Sequence, residues 1–134
     1  MLFKKEKITS YDEVTYRISG MRSTRDYEII SNGKVAEVAE YELNYSTDSR
    51  NLVRKVLCDN EMMIELLNVC GVMGWNGFEG KHPFGVKDGE MLSFRAVVND
   101  GKIIKANGSE NFPKNFNEFR KEINRILSEN NSIL

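Results

Sequence analysis

The sequence predicts an α+β domain: an antiparallel sheet of four to five strands, arranged as two hairpins, with a central helical segment and a C-terminal helix packed on one face. Three observations predict it. Polar and apolar residues alternate with a period of two over residues 13–19 and 92–98. Asn32-Gly33 and Asp100-Gly101 stand between strand-like runs, where glycine supplies the backbone conformation a hairpin turn requires. Apolar residues recur at helical spacing over residues 52–70 and 116–127. At 134 residues the chain fits one hydrophobic core, so residues 1–134 are read as a single domain.

The elements follow in order. Val14, Tyr16 and Ile18 share one face of a first strand, and a second strand covers 27–30. After the Asn32-Gly33 turn comes a long strand. One of its faces carries Val35, Glu37, Ala39, Tyr41, Leu43 and Tyr45; the other carries Glu40, Glu42 and Asn44 and reads as the wet side. From Ser46 the period changes. Asp48 or Ser49 can cap a helix with Leu52, Val53, Val56 and Leu57 as one stripe, interrupted at Asp59-Asn60-Glu61 and resumed through Met63, Leu67 and Cys70 to Gly71. Residues 71–89 form a long glycine-rich connection. A hairpin over 92–106 follows. The last element is a helix beginning at Asn115, with Glu118 placed for a capping box and Phe116, Phe119, Ile123, Ile126 and Leu127 on one face.

Composition narrows the function classes. Lysine and arginine number 19 against 20 aspartates and glutamates, which argues against a nucleic-acid partner held by phosphate attraction. The longest apolar-rich window, 62–73, contains Glu65 and Asn68 and falls short of the ~20 residues a membrane span needs. Cys58 and Cys70 lack the CxxC or histidine spacing of a metal site and read as free thiols of a cytoplasmic protein. No catalytic, cofactor or metal signature is present: GxSxG, GxGxxG and the P-loop pattern are all missing.

What chemistry there is gathers in the 74–88 loop, where Trp75, Phe78, His82, Phe84 and Asp88 are the candidate binding residues. A histidine six residues before an aspartate can move protons, yet no nucleophile motif accompanies the pair, and Asp88-Gly89 also reads as a turn. Glu40 and Glu42 share a strand face and could flank a sugar or metal, but a solvated face needs no such purpose.

An ordered set of short motifs spans roughly residues 74–127: Trp75-Asn76-Gly77-Phe78, Asp88-Gly89-Glu90, Asp100-Gly101-Lys102 and Gly108-Ser109-Glu110-Asn111-Phe112-Pro113 leading to Asn115-Phe116. This set resembles the tails of a small uncharacterised protein family of Firmicutes, of clostridial type, although Glu110 interrupts that group's GSN-like pattern. The resemblance implies no activity and brings no site residues. The residues therefore point to a non-enzymatic protein- or peptide-binding module, monomeric or homodimeric. The alternative is a small-ligand binder or enzyme with a pocket around the 74–88 loop.

Overall fold

The computed structural model describes residues 6–20, 23–85 and 89–129. The elements are β1 (Tyr11–Ser19), β2 (Thr24–Ser31), β3 (Val35–Asn44), β4 (Ser49–Asp59), α1 (Asn60–Val69), a 3-10 turn (Val72–Trp75), β5 (Phe78–Gly80), β6 (Met91–Val98), β7 (Lys102–Ser109) and α2 (Phe116–Glu129). The class is α+β, but the sheet has seven strands in the order β4-β3-β2-β1-β6-β7-β5. All neighbours are antiparallel except β5, which runs parallel to β7, so the sheet is mixed.

The expectation of four to five strands falls short at two places. The run over 49–59 is a strand, not the first half of a helix. Leu52, Val53, Val56 and Leu57 do fit a helical stripe, but Arg54, Val56 and Cys58 also alternate with the exposed Lys55 and Leu57, and the β-branched valines favour a pleated surface. A hairpin turn delivers the chain to it: Asn44 Oδ1 accepts from Ser46 N at 3.0 Å, and Asp48 takes a positive φ of 53°. Asp59, read as an interruption, is the N-cap of α1, its carboxylate accepting from Met62 N at 3.0 Å. The second missed strand, β5, is three residues inside the glycine-rich connection.

Both helices cover one face. That face presents Val14, Tyr16 and Ile18 of β1, Tyr27 and Ile29 of β2, Ala36 and Val38 of β3, Leu92, Phe94, Ala96 and Val98 of β6, and Ile104 and Ala106 of β7, all buried. Met63 and Leu67 of α1 and Phe116, Phe119, Ile123, Ile126 and Leu127 of α2 close over them. At its centre Trp75 packs edge-on against Phe94, Phe116 and Phe119 with centroids 5.0, 5.8 and 5.8 Å apart, and Tyr16 stacks on Tyr27 at 4.7 Å. The faces of β3 are the reverse of the sequence reading. Ala36, Val38 and Glu40 lie under the helices, and the side carrying Glu37 and Tyr41 is open.

Two ties fix the periphery. Ile8, buried, exchanges two hydrogen bonds with the Asn68 carboxamide, both 2.9 Å. Asn115 precedes α2 as expected, but its side-chain amide donates to Cys70 O at 3.4 Å and so joins the start of α2 to the end of α1. Gly71, at φ 72°, is the left-handed residue that ends α1. Among the described residues, no helix is long and apolar enough to cross a membrane.

Candidate functional site

The described candidate residues of the loop separate between the core and the surface. Trp75 is only 3% exposed, and its indole N–H donates to Lys114 O at 2.9 Å; it belongs to the core. Phe78, half-buried on β5, packs against that same core. His82 and Phe84 are exposed beyond β5, and Asp88 lies outside the described residues. Sequence proximity thus groups residues that the structure separates: Trp75 and Phe78 join the core, whereas His82 and Phe84 are exposed. His82 lies beside a concavity: its Nδ1 is 2.8 Å from Ser109 Oγ, at the end of β7.

That concavity is a cleft of about 520 Å³ at one end of the open face. Strand register builds it. Arg17 of β1 opposes Ser93 of β6, Ser93 opposes Asn107 of β7, and Asn107 opposes Glu79 of β5, giving one polar row across four strands. The next row toward the sheet end is Ser19, Met91 and Ser109. Small serines between the longer Arg17, Met91 and Glu79 leave the hollow. Gly80 and Gly108 explain two of the glycines: a Cβ on either would lie 2.0 or 2.1 Å from Asn111 O, so only glycine lets residues 110–112 cross the opposite face here.

The rest of the open face is laced with cross-strand ion pairs. Arg17 clasps Asp26 through Nε at 2.6 Å and Nη2 at 3.0 Å, Arg95 meets Glu13 at 2.9 Å, Lys55 meets Glu37 at 2.9 Å, and Arg50 binds Glu28 while lying over the Tyr41 ring. These pairs neutralise the face locally and suit it to water.

Beneath the helices sits a group that sequence reasoning placed on the wet side. Glu40 accepts from Arg54 Nε at 2.7 Å, Arg25 Nη1 at 3.1 Å and the Tyr27 hydroxyl at 2.7 Å. Burial pushes its carboxyl up, but the hydrogen bonds from Arg54 and Tyr27 and the charges of both arginines outweigh it and hold it below the usual range. Burial, then the bond to Glu40, pushes the Tyr27 hydroxyl up. Nearby, the hydrogen bond from Arg120 lowers Glu90. With Arg54 also reaching Ser128 of α2 at 3.0 Å, this network fastens the C-terminal helix to the sheet. The signal for Glu40 was its place two residues from Val38 on an alternating strand.

No family model, no curated protein and no solved structure matches this chain.

The functional reading therefore rests on geometry, and the sheet has a second feature besides the cleft: its two edges differ. β5 is three residues long, whereas β4 runs for eleven and, among the described residues, no strand pairs along its outer side. Leu52, Val53 and Leu57 are 54, 43 and 59% exposed on it. Leu52 opposes Tyr41 and Leu57 opposes Glu37, so both leucines stand on the open face. A register shift between Glu40 and Tyr41 marks a bulge at Val53 that divides the edge into two straight runs, 49–52 and 54–59. Arg50, Arg54 and Lys55, the basic side chains of this edge, are all engaged by glutamates of the sheet. Burial pushes the Cys58 thiol up, which disfavours its thiolate.

Proposed function

We propose that the protein is a binding module, not a catalyst, and that it takes an extended peptide segment of a partner as an added strand along β4. The observation that carries this is the eleven-residue outer edge of β4 with its exposed leucines. Natural edge strands are kept short, covered or charged, because a free row of N–H and C=O groups recruits another strand. Here the charges are already satisfied within the sheet, so they repel an incoming strand weakly. Main-chain hydrogen bonds supply affinity in such strand addition, and alternate side chains supply selectivity. Leu52 and Leu57 would cover apolar side chains at alternate positions of the added segment. The bulge at Val53 divides that pairing into the 49–52 and 54–59 runs, with one leucine in each.

Panning a random peptide library against the protein tests this. Enriched peptides should alternate apolar and polar residues, and should lose at least about tenfold in affinity for a Leu52→Lys, Leu57→Lys double variant. Both leucines are exposed, so the variant keeps its melting temperature within a few degrees. Peptides that bind wild type and variant equally, or a library that yields no binder, would contradict the reading.

A further inference from the structure

The cleft at the far end of the open face lies across the sheet from β4, and its chemistry differs from that of the edge. Ser19, Ser93 and Ser109 contribute hydroxyls and Asn107 a carboxamide, groups that each donate and accept hydrogen bonds. Its charges compensate: Arg17 is clasped by Asp26, and Lys81 lines the same wall as Glu79. Among the described residues, a free carboxylate or phosphate would meet no net cation, and an amine would meet no net anion. Met91, 58% exposed, adds an apolar surface at the centre of the second row. One wall is held in place, because the His82–Ser109 hydrogen bond ties the segment after β5 to the end of β7. At about 520 Å³ the volume falls within the ~300–1,000 Å³ range of small-molecule sites.

From this lining we infer that the cleft binds a neutral polyhydroxylated ligand, a mono- or disaccharide. Such a ligand carries hydroxyls that match ambivalent serines and asparagine, has no net charge to satisfy, and presents ring C–H groups to Met91. The serines sit on strand residues whose positions the sheet fixes, so little ordering is needed on binding.

Titration of the ¹⁵N-labelled protein with glucose, galactose, N-acetylglucosamine, maltose, cellobiose and lactose tests the inference, with sodium phosphate and sodium acetate as anion controls. At least one sugar should give saturable shifts at residues 91–93 and 107–109. Asn107→Ala should weaken that sugar about tenfold, and Ser93→Phe, which fills the hollow from an exposed position, should abolish the shifts while leaving the melting temperature unchanged. The inference is overturned if no sugar saturates these amides, if phosphate or acetate does so instead, or if the shifts persist in Ser93→Phe. Leu52→Lys, Leu57→Lys should bind the sugar as wild type does, which separates this site from the β4 edge.

Discussion

Glu37 and Glu40 lie three residues apart on β3 and meet opposite surroundings. The Glu37 side chain is 44% exposed on the open face and pairs with Lys55, itself 42% exposed. The Glu40 side chain is 4% exposed under the helices and holds two arginines and a tyrosine. Both glutamates are ion-paired, yet the energetic meaning differs. Water can replace Lys55 at Glu37 with little change. It cannot readily replace the partners of Glu40, so removing either side there leaves polar groups without bonds. Ion pairs on the open face keep a surface wet and available; the covered face uses them to fix a helix.

Substitutions on the two faces should separate accordingly. The largest loss is expected at the covered face for Trp75→Ala, about 3–5 kcal/mol, because it opens a cavity among Phe94, Phe116 and Phe119 and orphans Lys114 O. Urea unfolding measures it; a loss under about 1 kcal/mol would mean the indole is not a core residue.

Glu40→Ala comes next, at about 2–4 kcal/mol, tempered by the partial exposure of Arg25 and Arg54. Its pH dependence has a definite sign. The folded carboxyl is held below its unfolded value of about 4.3, so the unfolded chain binds the extra proton. The stabilisation is therefore present above pH ~4.3 and lost as pH falls through the folded pKa. Wild type and Glu40→Gln should differ at pH 7 and converge in acid, as read from urea midpoints at a series of pH values. A gap that widens in acid would reverse the assignment.

On the open face, Glu37→Gln should cost no more than about 0.5 kcal/mol, and less still in 1 M salt. The smallest effect is expected for Tyr16→Phe. The Tyr16 hydroxyl is buried and has no hydrogen-bond partner among the described residues, so its removal should leave stability unchanged or slightly raised.

The same contrast explains what could be read from the chain. Tyr16, Phe94 and the Phe116–Leu127 stripe were legible because alternation and helical spacing directly encode a buried face. The two hairpin turns were legible from Asn32-Gly33 and Asp100-Gly101, although Gly33 has a positive φ and Asn32 does not. The strand over 49–59 was not, because a half-exposed edge strand carries no continuous apolar face and its bulge breaks the period of two. Glu40 was misread because a carboxylate signals solvent until the arginines that meet it, 15 and 14 residues away, are known. The cleft is still less local. Arg17, Ser93, Asn107 and Glu79 become neighbours through the pairing of β1 with β6, β6 with β7 and β5 with β7. The sequence loop that held the candidate residues did mark its rim, at His82, while Trp75 in the same loop was drawn to the core by its size.

Hydrogen–deuterium exchange of the β4 amides, with and without a peptide selected against the protein, is the most direct test of strand addition. Alternate amides over 49–59 should slow by at least about tenfold in the complex, because every second N–H of an edge strand faces outward and becomes bonded. Unchanged exchange along β4, with protection appearing instead at α1 and α2 or around the cleft, would contradict it.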